Sequence, residues 1–263
     1  MTSSSDPQTS EYPRGNILGV GVHAITMQEA LRTMRSWVES AQPNYVCVTP
    51  AHAVMECLID DQLRHVYNSC GLCTPDGMVI VWLLRLQGYK NVRRVYGPDL
   101  MLAACKNFLK VGYTHYFFGS SVETLKALTQ ALKERFPGIS IVGSASPPFR
   151  PISADEEQTF LDDIVRSRPD FLWIGLGSPN QERWMAEHVR LLRVPVMVGV
   201  GAAFDFIAGV KPQAPRWVQK IGMEWLFRLV SEPRRLWKRY RQYPRFVWLA
   251  LMQRLGLKKY TLE

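Results

Sequence analysis

The chain has 263 residues, 47% of them hydrophobic. That suits one large domain, or one domain with an appendage, and a sizeable core. No apolar run nears the roughly 20 residues that span a bilayer, the longest candidate being Phe246 to Met252. The N-terminus MTSSSDPQTSEYPRG is polar and lacks the pattern of a signal peptide, so residues 1–15 read as a disordered segment. The net charge of +9 is lopsided: residues 211–263 hold 13 Lys/Arg against 3 Asp/Glu, a net of +10, and four of the eight tryptophans. Residues 1–210 are close to neutral. A cationic, aromatic tail on a neutral body points to a polyanionic partner, either nucleic acid or an anionic membrane surface.

In chain order, Ile17 to Val22 reads as the first strand. Thr26 and Glu29 form a capping-box pattern that opens a helix to about Ala41. NYVCVT (44–49) is the next strand, followed after Pro50 by a helical pattern with Val54, Leu58 and Leu63 on one face. Five cysteines, Cys47, Cys57, Cys70, Cys73 and Cys105, are an odd count without a secretion signal, which argues for reduced, cytosolic thiols. Cys70 and Cys73 make a lone C-x-x-C. With His52 and His65 at unhelpful spacings it reads as core thiols rather than a metal site.

Thr74-Pro75-Asp76-Gly77 is a turn ahead of the apolar run MVIVWLL. Ordinary turn chemistry accounts for Asp76, and so does a carboxylate presented at the mouth of a site ahead of a buried helix. Pro98 and Asp99 suit the first turn of a helix to about Lys110. Strands at 113–118 and 138–143 and helices after Ser121 and Ser153 lead to Asp170. There FLWIGLG and VPVMVGVG are short, continuously apolar runs, the mark of strands buried on both faces of a parallel sheet. Ser178-Pro179 reads as an N-cap followed by proline at the first helical position. An anion fits the glycine turn and helix start at such a strand end.

The alternation βαβαβα from Gly112 to Gly201 gives an α/β, Rossmann-like fold: a mostly parallel sheet flanked by helices. Its boundaries are read as a core at 16–209 and a basic, aromatic, helical C-terminal appendage at 210–263. Neither GLGSPN nor GVGAAF is a dinucleotide fingerprint, since Asn180 and Phe204 stand where a third glycine belongs. No phosphate-binding G-x-x-x-x-G-K-[ST] loop occurs. A nucleoside diphosphate held by separate strand-end turns stays open. In the tail, Trp225, Arg228, Leu229, Glu232 and Leu236 share a helix face that Pro233 ends or kinks.

Six segments together resemble the WecG/TagA/CpsF family of bacterial glycosyltransferases: VTPAHAVM (48–55), TPDGMVIVWLLR (74–85), RRVYGPDLM (93–101), GLGSPNQERWM (175–185), GVGAAFDFIAG (199–209) and APRWVQKIGMEWLFRLVSEPRRLWKRY (214–240). The resemblance implies transfer of a sugar from a UDP-sugar donor to a polyprenyl-diphosphate-linked saccharide acceptor, with inversion, in the synthesis of cell-surface polysaccharide or teichoic-acid-type polymers. It implies no cofactor and no metal, there being no D-x-D motif. The enzyme would sit in the cytoplasm, peripheral on the inner face of the cell membrane.

The resemblance makes Asp76 the catalytic base, with Thr49 orienting a sugar. Where the family has an asparagine the chain reads Ala51-His52, and His52 either takes over a polar, substrate-binding role or only packs. Arg94 is carried over as a ligand of the diphosphate or of the acceptor phosphate. Gln181 and Glu182 become polar groups facing sugar and nucleotide, and Asp205 a ribose or uracil contact. Gly119, Gly177, Ser178 and Gly201 form the turns around the donor, while Arg228, Arg234 and Arg235 neutralise departing UDP or touch lipid headgroups. Homo-oligomerisation stays open. The competing class is a nucleic-acid-binding protein using the basic tail, which the charge asymmetry alone permits; the polar strand-end turns of the body argue against it and for no nucleic-acid partner.

Overall fold

The structure is a computed structural model that describes residues 11–262; the first ten residues of the segment read as disordered lie outside the described residues. In chain order the elements begin β1 (Arg14–Ile17), β2 (Val20–His23), α1 (Met27–Glu39), β3 (Asn44–Thr49), α2 (Ala51–Cys57), α3 (Asp61–Ser69), β4 (Leu72–Pro75), α4 (Met78–Leu86) and α5 (Gly97–Phe108). They continue with β5 (Thr114–Gly119), α6 (Val122–Arg135), β6 (Ser140–Ala145), α7 (Ala154–Ser167), β7 (Phe171–Gly175), α8 (Asn180–Leu192), β8 (Val196–Gly199) and α9 (Ala203–Ile207). The tail holds α10 (Arg216–Lys220), α11 (Glu224–Ser231), α12 (Pro233–Tyr240) and α13 (Tyr243–Arg254). A six-stranded sheet has the order β4-β3-β8-β7-β5-β6, and β1 and β2 form a separate pair. The α/β class expected from the alternation is the one observed.

By their contacts the described residues divide into two compact units, one of residues 11–27, 47–95 and 214–262, the other of 28–46 and 96–213. In the first unit the Gln253 carboxamide accepts from Leu18 N at 3.0 Å and donates to Asn16 O at 3.1 Å, and α13 packs on α2. Where a single strand was expected at 17–22, the chain makes an antiparallel hairpin, and β1 already begins at Arg14. Leu18 and Gly19 both take positive φ, 53° and 90°, the geometry of a two-residue primed turn. The side chain of Asn16 accepts from Gly19 N at 2.8 Å, and that of Asn68 accepts from Gly21 N at 2.9 Å. The helix expected after Pro50 is two helices, because Asp60 caps α3 by accepting from Leu63 N at 2.9 Å. All five cysteines are buried and none is in a disulfide, as core thiols are.

In the second unit β5 pairs in parallel with both β6 and β7, and β7 with β8. The chain runs from β5 outward to β6 and then returns to the other flank of β5 as β7. The carboxyl ends of β5 and β7 therefore flank a topological switch point, the place where open α/β sheets bind ligands. Ser153 and Glu156 make the expected capping box at α7. Phe108, His115, Phe171 and Trp173 stack in the core, with Trp173 Nε1 donating to His115 Nδ1 at 3.1 Å.

Burial holds His115 neutral, its pKa lowered to about 4. Burial, then the neighbouring Arg14, lowers that of His23 to about 3. Each value lies below the unfolded histidine's ~6.5, so the stabilisation is complete above that pH and is lost as pH falls toward 4. Urea unfolding between pH 7.5 and 5 should show stability declining on the acid side of neutrality, by up to about 1.4 kcal/mol per pH unit for each such histidine. His115→Gln should flatten the decline by one histidine's share; an unchanged slope would contradict the assignment.

Candidate functional site

In the first unit β4 delivers Asp76 and Gly77 as the two residues between a buried strand and α4. Asp76 N donates to Thr49 O at 3.4 Å and Val95 N to Pro75 O at 2.9 Å, which pins the turn from both sides. Arg94 donates from Nε to the main-chain oxygen of Asp76. Its Nη2 lies 3.6 Å from Asp76 Oδ1 and donates to Glu224 Oε2 at 2.6 Å. The three side chains are only 12–16% exposed, so the charges interact with little screening. Glu224 opens α11, and Gly222 brings it there. With φ at +75°, Gly222 sits where a Cβ would lie 2.9 Å from the Trp82 ring of α4.

Behind this cluster the tail contributes an aromatic triangle. Trp225 stacks on Tyr243 at 5.4 Å, and Tyr240 meets Tyr243 edge-on at 5.2 Å. Burial, then Tyr240 and Asp76, pushes the Tyr243 phenol well above the ordinary tyrosine range. Arg228 acts electrostatically on both tyrosines. His52, on α2, is buried and stays neutral, because burial first and then Arg239 and Arg228 lower its pKa well below the usual value.

In the second unit the strand-end turns converge. Gly119, at φ +112°, ends β5 so close to β7 that a Cβ would lie 2.6 Å from the Gly175 carbonyl carbon. Gly177 takes φ +80°, and its N–H donates to Gln181 Oε1 at 3.2 Å. Gln181 Nε2 donates to Glu182 Oε1 at 2.9 Å and would lie 2.9 Å from a Cβ on Gly199. One carboxamide thus braces the turns after β7 and β8. Asp205 pairs with Lys211 at 2.7 Å.

The structure brings Asp76, Arg94, Arg228 and His52 together in the first unit and sets Gly119, Gly177, Gln181, Glu182 and Gly201 about the turns of the second. Thr49 is fully buried and its hydroxyl donates to Cys47 O, so its carbonyl, not its hydroxyl, serves the Asp76 turn. Arg94 turns its guanidinium toward two carboxylates and a carbonyl. Gln181 and Glu182 are buried supports of the turns. Ser178 is not the N-cap of α8, whose cap position is Pro179, after a cis Ser178–Pro179 bond. Arg235 pairs at the surface with Glu232 at 2.6 Å, and Arg234 is exposed. Sequence reasoning passed over Glu224, Tyr240 and Tyr243. A signal was there for the first: Glu224 is one of only three acids among the tail's 13 cations.

Among the described residues no group of three or more His, Cys, Asp or Glu is placed to hold a metal ion, and no helix is long and apolar enough to cross a membrane. The tail does expose apolar residues. On α13, Phe246, Leu249 and Ala250 face inward, whereas Val247, Trp248 and Leu251 are more than half exposed, as is Leu255 just beyond. Trp237 is 60% exposed on α12, among Arg234, Arg235 and Lys238.

The sequence model of the glycosyl transferase WecG/TagA/CpsF family matches residues 15–260. Among curated relatives, an "N-acetylglucosaminyldiphosphoundecaprenol N-acetyl-beta-D-mannosaminyltransferase" of Staphylococcus aureus (strain MW2) is 24% identical over 255 residues, 96% of this chain and 98% of its own. Proteins of the same name from Bacillus spizizenii and Bacillus subtilis (strain 168) are 28% and 26% identical, each over 74% of both chains.

The Arg94–Glu224 contact should behave as a mostly buried ion pair. Arg94→Leu leaves the Glu224 carboxylate without its partner and should cost about 3 kcal/mol in urea unfolding. The double variant Arg94→Leu/Glu224→Leu should regain a large part of that, a coupling of at least about 1 kcal/mol. Additive losses would show that the pair does not couple.

Proposed function

The chain belongs to the WecG/TagA/CpsF family and is a glycosyltransferase, and from that premise we propose that it moves a sugar from a UDP-sugar to a polyprenyl-diphosphate-linked saccharide. The transfer is inverting and metal-independent, with Asp76 as general base. The names of the relatives make N-acetylmannosamine as the donor sugar and diphosphate-linked N-acetylglucosamine as the acceptor the first pair to assay. The observation that carries the reading is the Asp76 turn, a carboxylate fixed at a strand end by Arg94, with Glu224 balancing the cation.

In this reading the acceptor hydroxyl gives its proton to Asp76 as its oxygen attacks the anomeric carbon. The bond to UDP breaks on the opposite face, and the electron pair leaves with the diphosphate. Negative charge gathers there, and it is the main electrostatic demand of the step. Backbone N–H groups of the glycine turns are the groups suited to meet it. Thr49 and Arg94 serve by positioning the base. Gly119, Gly177, Ser178 and Gly201 surround the donor diphosphate, with Gln181 and Glu182 holding the turns and Asp205 nearest the nucleoside. The exposed aromatic and cationic face of α12 and α13 rests on anionic lipid, keeping the enzyme peripheral on the cytoplasmic face where the acceptor lies.

Asp76→Asn should lower transfer, followed by mass spectrometry of the lipid product, by about 10²–10⁴-fold while the donor KM stays within a few-fold. Chelator should leave the wild-type rate unchanged. Near-normal turnover by Asp76→Asn, or a strict divalent-ion requirement, would overturn the mechanism. For the membrane, full-length protein should float with anionic vesicles and Trp237→Glu/Trp248→Glu should not. Equal flotation, or salt-sensitive duplex binding in place of flotation, would overturn the placement.

A further inference from the structure

Helix α2 is the most enclosed helix of the first unit: Ala51, His52, Ala53, Val54, Met55 and Cys57 are all buried, and Glu56 is half-buried. Two polar side chains interrupt it, four residues apart and hence on the same face. Among the described residues no group hydrogen-bonds His52 Nδ1 or Glu56 Oε2, although both atoms are shielded from solvent. A buried polar atom without a partner costs free energy, and an apolar residue at either place would remove that cost. A chain that keeps two such groups on one helix face holds them for something other than stability.

Their surroundings indicate what that is. Thr49 O, which takes the hydrogen bond from Asp76 N, stands just before Pro50, the residue that starts α2. The turn bearing Asp76 and the first turn of α2 are therefore neighbours. Arg239 acts electrostatically on both His52 and Glu56, and Arg228 on His52. Burial favours the uncharged form of each group, lowering the His52 pKa and, against the pull of Arg239, raising that of Glu56. Hydrogen-bonding groups at two fixed points suit hydroxyl or acetamido groups, which are uncharged and hydrogen-bond in both directions. The two arginines suit the phosphates to which such a sugar is attached.

We propose that His52 and Glu56 form the subsite for the sugar of the diphosphate-linked acceptor, hydrogen-bonding its uncharged polar groups while Arg228 and Arg239 take the diphosphate. This rests on the transfer reaction proposed above and extends it with a binding residue, Glu56, and with a division of labour in which the first unit reads the acceptor. Selectivity among acceptor sugars then comes from α2, since a site built to hydrogen-bond a group discriminates sharply against a ligand that lacks it.

The test uses the full chain with the isosteric apolar variants Glu56→Met and His52→Leu and the conservative Glu56→Gln. Both apolar variants should keep or raise Tm, because they remove unpartnered buried atoms. Both should raise the KM for diphosphate-linked N-acetylglucosamine at least tenfold and leave the donor KM within twofold. Glu56→Gln should restore the acceptor KM most of the way. An unchanged acceptor KM, a matching rise in the donor KM, or a fall in Tm with both apolar variants would each overturn the subsite, the last by showing that the fold itself uses these groups. Wild-type protein that transfers to no polyprenyl-diphosphate-linked sugar would instead overturn the reaction on which the subsite rests.

Discussion

A single guanidinium organises the first unit. Arg94 donates to the main-chain oxygen of Asp76, lies beside its carboxylate, and makes its shorter side-chain contact with Glu224, 130 residues further along the chain. A mostly buried ion pair is poor evidence of stability, because an apolar pair of similar volume often does as well or better. What it supplies is geometry. Two carboxylates share one cation, so neither can wander, and α11 is bound to the turn that bears Asp76. The glycine at 222 follows from this, since only a residue without a Cβ lets the tail come so near Trp82.

The second unit meets a comparable constraint with backbone instead of charge. Parallel strands end in glycines because neighbouring strand ends come too close for side chains. Gly119 abuts Gly175, Gly175 leaves room for the Phe204 ring, and Gly199 leaves room for Gln181. The turns left after β5, β7 and β8 expose main chain at a switch point, which is what a diphosphate needs. Buried Gln181 and Glu182 stiffen that arrangement.

Much of this was legible in the residues. The βαβ alternation, the strand at 44–49, the capping box at Ser153 and the break at Pro233 depend on local pattern and local chemistry, and these survive folding. The hairpin at Leu18–Gly19 was not legible, because in ILGVGV a leucine takes the left-handed position usually given to asparagine or glycine. Asp60 splits the helical run after Pro50 by a cap that apolar periodicity hides. In the site, Asp76 could be found from its turn. Its partners could not, since Arg94 and Glu224 meet only through tertiary packing. Charge composition sets the tail apart from the body in sequence, and its contacts with the N-terminal hairpin and with α2 arise only through tertiary packing.

If the ion pair exists to place the base, then stability and catalysis separate when it is replaced. The kcat of Arg94→Leu/Glu224→Leu, measured on folded protein at saturating donor and acceptor, is the most direct test. It should fall about a hundredfold, the cost of displacing a reacting group by an ångström or so, while the donor KM holds. Wild-type kcat in a stable double variant would contradict the claim that Arg94 and Glu224 hold Asp76 in its working position.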